Sequence, residues 1–152
     1  MDATELAREL LDPIPAHRTA GLEVVGADDG LGVVACDPPA GLANVIGSLH
    51  SSGLTTLADA AGLAAIIAAV PSPDAFDGVV PLGAAASMRF LAPARGRLTA
   101  TCELEMETRQ RLKAFYGGIE PRVRLTTTAR ITDEDGTVVA TGSFDWSVRR
   151  QS

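Results

Sequence analysis

This sequence predicts an α+β fold in which one antiparallel sheet packs on a single long helix. Two observations carry the prediction. Residues 49–70 have the length and composition of one buried helix, and from residue 97 onward the apolar period changes from 3.6 to 2. Strands that are apolar on one face and polar on the other make a sheet with one dry side. A single apolar helix then has to cover that side. At 152 residues, without repeats or a linker, the chain reads as one domain over 1–152.

The elements follow in order. "TELARELLDPIP" predicts a short amphipathic helix at about 3–12, with Leu6, Leu10 and Leu11 on one face and Pro13 and Pro15 ending it. "GLEVV" and "LGVVACD" are two apolar strands around the turn "GADDG". "PPAGLANVIGS" is an irregular connection. The central helix then spans about 50–70 and stops before "PSPDAFDG", where prolines forbid continuation. "VVPLGAAASMRFLAP" is a less regular strand. "GRLTATCELEMET" alternates Leu98, Ala100, Cys102, Leu104 and Met106 against a polar face, which predicts a strand reaching Glu107. "PRVRLTTTARI" does the same with Val123, Leu125, Thr127, Ala129 and Ile131. The Glu-rich face of 103–107 is expected across from the Arg-rich face of 122–130, with "ETRQRLKAFYGGIEP" as a long hairpin between them. "DEDG" turns the chain into a last strand that buries Val138, Ala140, Phe144 and Trp146.

Composition narrows the function classes. The net charge of −6 argues against a nucleic-acid binder. The charge is uneven: residues 1–88 hold 11 acidic and two basic residues, and residues 89–152 hold eight acidic and 11 basic ones. An anionic ligand would find its partners in the second part. Cys36 and Cys102 lie in apolar alternating runs and read as small core residues of a reducing, cytoplasmic compartment. No CxxC or Cys/His spacing suggests a metal site. The apolar stretch at 49–70 is long enough to cross a membrane. It contains His50 and Asp59, is dominated by Ala and Gly, and has no flanking Lys or Arg, so a buried helix is expected instead.

Asp59 is the informative residue, because a carboxylate in an apolar helix is costly unless it is paired or used. Thr55, Thr56, Gly62, Leu63 and Ser52 share its side of the helix. Either Thr55 or Thr56 bonds it, or it has a function. The start of the helix, "HSSG", leaves backbone N–H groups around Ser51–Gly53 without intrahelical partners, at the end where negative charge is favoured. A carboxylate plus an oxyanion site is equipment for acyl transfer. Ser51 and Asp59 are separated by eight residues, roughly 12 Å at about 1.5 Å per residue. One carbonyl carbon cannot lie beside both on the same helix, so a shared site requires two subunits. Gly53, Ala58 and Gly62 are small enough to let two such helices approach.

The pattern Asn44-x-x-Gly47-x-x-His50-x-x-Gly53, with Asp59 nine positions after His50, resembles the hotdog-fold acyl-CoA thioesterases of the PaaI and acyl-CoA-thioesterase-13 type. "FLAPARGRL" resembles one of their strand segments, and the likeness spans about residues 18–149. It implies a hotdog fold, with the sheet wrapped around the central helix. It also implies a homodimer or a dimer of dimers, acting on an acyl-CoA or acyl-carrier thioester with no cofactor beyond the CoA of the substrate. By the same resemblance Asp59 is nucleophile or base, Ser51 supplies the oxyanion N–H, and Asn44 orients thioester or water. Gly47, His50, Ser52 and Gly53 shape the helix start. The family's two glycines after His are Ser51 and Ser52 here. Its strand hydroxyl falls on Gly83, with Ser87 nearest. Arg95, Arg97, Arg109, Arg111 and Lys113 are candidates for the CoA phosphates. Two other functions stay open. One is a non-catalytic acyl-binding domain. The other is a hydratase or dehydratase, which needs a His base paired with an acid in a chain whose only histidines are His17 and His50.

Overall fold

The computed structural model describes residues 1–151. The chain runs α1 (Ala3–Leu11), α2 (Pro15–Ala20), β1 (Leu22–Asp28), β2 (Leu31–Cys36), α3 (Ser51–Ala68), β3 (Val79–Phe90), β4 (Leu98–Glu103), α4 (Met106–Tyr116), β5 (Arg122–Thr132) and β6 (Val138–Arg150). The six strands form one antiparallel sheet in the order β1-β2-β4-β5-β6-β3. The sheet curves around α3, which packs on all six strands. This is the α+β hotdog arrangement expected from the periodicity and the resemblance.

Close approach between helix and sheet depends on missing side chains. A Cβ on Gly32 of β2 would fall 2.7 Å from the Ala61 carbonyl oxygen of α3. A Cβ on Gly62 would fall 2.5 Å from the Thr127 hydroxyl, which accepts a hydrogen bond from the buried Trp146 indole at 2.7 Å. Gly53 meets Leu49 in the same way, and Ala58 lies against Gly142. These small residues of α3 serve close contacts within the chain. α3 has a mean hydropathy of 1.3, and 67% of it is buried; the sheet supplies the apolar surroundings that the sequence demands.

Several elements differ from expectation. β4 ends at Glu103, and Met106 is exposed at the start of an eleven-residue helix where a hairpin was expected. β4 meets β5 at Thr99–Cys102 against Ala129–Thr132, so the Glu run never faces Arg122 or Arg124. α4 is held by its buried stripe Leu112, Phe115 and Tyr116, and the Tyr116 hydroxyl donates to the Ile66 carbonyl at 2.6 Å. α2 opens at Pro15, which is well placed at a first helical position because it needs no N–H partner there. Leu10 is exposed on α1, where Ala7 takes its place in the core. An irregularity in the β5–β6 register at Ile131/Thr132 puts Val139 in the core and leaves Val138 half-buried.

Candidate active site

The start of α3 is built by two short segments. Asn44 organises the loop before it: its Oδ1 accepts from the N–H groups of Ile46 and Ser48 at 3.1 and 3.0 Å, and its Nδ2 donates to the Ser48 hydroxyl at 2.7 Å. Gly47 takes a positive φ of 76° that closes the turn. Arg95 donates to the Ile46 carbonyl at 2.8 Å, tying this loop to residues 91–97. Asn44's hydrogen bonds fall within its own loop and shape the helix entrance.

His50 is the N-cap of α3. Its Nδ1 accepts from the Ser52 N–H at 3.0 Å and lies 2.8 Å from the Ser52 hydroxyl. Its carbonyl accepts from the Gly53 and Leu54 N–H groups. With Ser52 and Gly53 satisfied in this way, the Ser51 N–H is left as the free donor of the first turn among the described residues. The sequence suggested several such donors; the histidine cap reduces them to one. Beside it opens a cleft of about 340 Å³ whose apolar lining includes Ile46, Leu49, Leu54, Phe90 and Leu91.

Asp59 lies two turns further along α3 and is half-buried. Neither threonine bonds it: the hydroxyls of Thr55 and Thr56 donate to the carbonyls of Ser51 and Ser52 at 2.8 and 2.9 Å. Burial pushes the Asp59 carboxyl above the usual carboxylate range, and the nearby charge of His17 pulls part of the way back. A half-buried carboxylate with no protein hydrogen bond and a raised pKa has the character of a base held ready for a proton. Sequence reasoning passed over His17, which belongs to a different helix and carries no local motif.

Gly83 lies on β3 opposite Trp146, and its Cβ position is 3.8 Å from the indole ring that also touches Gly62. Ser87 pairs with Ser143 on the outer face of the sheet, so it is not a hydroxyl of this site. Arg97 is held by Glu23 and Asp37 at 2.8 and 2.9 Å, which neutralises it. Arg109 pairs with Asp29, and Arg109 and Lys113 line a larger groove, about 830 Å³, beside Ala68–Val70 at the far end of α3. Arg111 donates to the Arg124 carbonyl on the α4 side of the sheet. Of the five cations considered, Arg95 alone is joined to the loop at the helix start. No group of three or more His, Cys, Asp or Glu side chains among the described residues is placed to hold a metal ion.

An antiparallel sheet wrapped around one long helix defines a hotdog fold, and the segments at 37–50 and 91–97 meet at that helix's N-terminus. The chain belongs to the family described as Domain of unknown function (DUF4442), whose model matches residues 6–148. Among solved structures it is similar to a Pseudomonas aeruginosa protein described as a probable thioesterase, with 28% identity and a TM-score of 0.77 over 97% of this chain and 96% of that one. It is also similar to the Escherichia coli PaaI protein of the phenylacetic acid degradation operon (20% identity, TM-score 0.71, 99% and 94% covered). A thioesterase family protein from Silicibacter pomeroyi shares 18% identity at a TM-score of 0.75, with 98% and 99% covered. No curated protein sequence matches the chain.

Proposed function

We propose that this protein hydrolyses an acyl thioester, carried by CoA or by an acyl carrier, at a site built from two subunits. The observation that carries the reading is Asp59: a half-buried carboxylate of raised pKa, unbonded by its own threonines, in a thioesterase-superfamily fold. Asp59 takes a proton from water as the water oxygen attacks the thioester carbonyl carbon. The Ser51 N–H of the partner subunit receives the developing oxyanion. As the carbonyl re-forms, the C–S bond breaks, and the leaving thiolate takes the proton from Asp59. A carboxylate with a raised pKa suits the base role because its affinity for the transferred proton is greater.

Two features support the dimer. β3 is an edge strand carrying exposed Leu82 and Phe90, followed by exposed Leu91, and the loop before α3 presents exposed Val45 and Ile46. A row of unpaired strand edge beside apolar side chains invites a second chain. The distance of roughly 12 Å between Ser51 and Asp59 along α3 requires it if both act on one thioester.

One observation favours the second reading, a non-catalytic acyl-binding domain: the first turn offers one free N–H, not several. A panel of acyl-CoAs with a thiol-reactive dye decides. Hydrolysis releases free thiol in the wild type and far less in Asp59→Asn. Thermal stabilisation by acyl-CoA without thiol release would instead make it a binding domain. Hydration of an enoyl thioester without thiol release would make it a hydratase.

A further inference from the structure

Four arginines gather at the end of the sheet that the mechanism above does not use. Arg122 and Arg124 of β5 and Arg149 of β6 are exposed on its outer face, and Arg122 stands directly opposite Arg149 in the strand register. Like charges directly opposite each other destabilise a strand pair. The fourth cation, Arg111 of α4, reaches the same place, where its guanidinium donates to the Arg124 carbonyl. Among the described residues, no carboxylate forms an ion pair with any of the four. Arg150, next along β6, donates to the carbonyls of Ala75 and Asp77 in the connection that leaves the C-terminal end of α3. The cluster therefore lies away from the Ser51 entrance.

The backbone beneath these side chains is open on one side. β4 pairs with β5 only at Ala129–Thr132, so residues 122–128 have β6 on one side and no strand on the other. The Arg124 carbonyl faces the open side, where Arg111 takes it. In a strand the N–H and C=O of one residue point to the same neighbour, and every second residue repeats the direction. The N–H groups of Arg122 and Arg124 therefore face the open side too. α4 stands off this edge and leaves a groove of about 610 Å³, lined by Arg111, Arg122, Arg124, Gln110, Glu107 and Glu120 among others. With Arg149 beside it, the groove gathers four cations against two acids in a chain whose net charge is −6.

We propose that this groove binds the diphosphate of a nucleotide. Guanidinium forks match phosphate oxygens in pairs, and backbone N–H groups add donors from below. Bound there, a diphosphate offsets the repulsion between the arginines. It concentrates its charge within the spacing of two side chains on one strand face, about 7 Å, whereas the carboxylates of an acidic peptide are spread along a chain. The groove also falls in the range of small-molecule sites, about 300–1,000 Å³. The diphosphate has two possible sources, the nucleotide end of a CoA thioester and a free nucleoside diphosphate. The proposal stands apart from the thioesterase reading, because binding needs no turnover.

The probes are ADP and inorganic pyrophosphate, titrated calorimetrically into the whole protein at constant ionic strength. Both should bind. Arg122→Gln and Arg124→Gln should each weaken binding by at least about ten-fold, as expected for the loss of a charge-assisted hydrogen bond. Both side chains are exposed, so the fold should survive, and an unchanged Tm confirms it. Arg130→Gln removes an exposed arginine from the other end of β5 and should leave binding unchanged. Failure of both probes to bind would overturn the proposal. Equal weakening in Arg130→Gln would also overturn it, since general charge attraction would then explain the binding. Hexaglutamate bound as tightly as ADP would overturn it in favour of an acidic protein partner. Competition separates the two sources. Displacement of ADP by CoA, and not by pantetheine, assigns the diphosphate to a CoA thioester; ADP that stays bound in the presence of CoA assigns it to a free nucleotide.

Discussion

Ser51→Pro would delete the one free N–H of the α3 entrance and little else. Ser51 is the first residue of the helix, where proline is tolerated because no intrahelical partner is lost. A residue before proline must be extended, and His50 already is, with φ −59° and ψ 150°. The Ser51 side chain is exposed, and its carbonyl remains available to the Thr55 hydroxyl. Stability should therefore change by no more than about 0.5 kcal/mol, a Tm shift of roughly 2 °C at this chain length. Loss of an oxyanion donor costs about 10²–10³-fold in kcat, or roughly 2.7–4 kcal/mol. Ser51→Ala, which keeps the N–H, should stay near wild type. The assay is thiol release on the best acyl-CoA, with Tm measured at the same protein concentration. A folded Ser51→Pro enzyme that retained most of the wild-type kcat would remove Ser51 from the oxyanion role.

The other predictions concern Asp59, the subunit arrangement, Gly62 and the arginines. Asp59→Asn should lower kcat by at least about 10²-fold. Its stability effect has a definite sign. The folded pKa is raised, so ionisation costs stability as pH rises through it, and the Asn variant should melt higher than wild type at neutral pH. That gain should fade as pH falls below the ordinary carboxylate range. Ser51→Pro and Asp59→Asn, each nearly inactive alone, should recover roughly a quarter of wild-type activity after subunit exchange, because half the dimers are mixed and each has one intact site of two. No recovery after proven exchange would refute the shared site. In Gly62→Ala the new methyl meets the Thr127 hydroxyl that holds Trp146. Overpacking of about 1–3 kcal/mol and a strained buried hydrogen bond of similar worth outweigh a helix-propensity gain of about 1 kcal/mol. The net loss of about 1–5 kcal/mol should lower Tm by roughly 2–20 °C, and an unchanged Tm would show that the helix can shift away. Arg95→Ala should raise KM for acyl-CoA more than for a short pantetheine thioester, while Arg97→Ala, already paired with two carboxylates, should leave that ratio unchanged. Equal KM effects of Arg95→Ala on both substrates would exclude a phosphate role.

What the sequence made legible depended on how local the signal was. The central helix could be read from its length and apolar composition, and the strands at 98–103, 122–132 and 138–150 because each alternates apolar and polar residues. Asp59 stood out because an acid interrupts an apolar helix. α4 was lost because the alternation of β4 ran on into Leu104 and Met106. The real break is at Glu105, which caps a helix, and the buried set Leu112, Phe115 and Tyr116 carries the spacing that shows it. α2 was hidden between prolines, although a proline at the first position favours a helix start. Gly62 was read as a small residue for the approach of a second helix; only the sheet register that brings Thr127 and Trp146 under it shows its contact within the chain. The single free N–H at Ser51 emerged only once His50 was seen to cap two of its neighbours.

Ser51 and Asp59 divide by the chain they serve. In the proposed shared site, Ser51 lies too far along α3 to serve the Asp59 of its own chain and would act on that of the other. On that proposal, closing a dimer over the exposed side of α3 would remove more water from Asp59, and desolvation already dominates its pKa. The assembly that brings the oxyanion donor within reach would therefore also make the carboxylate harder to keep ionised.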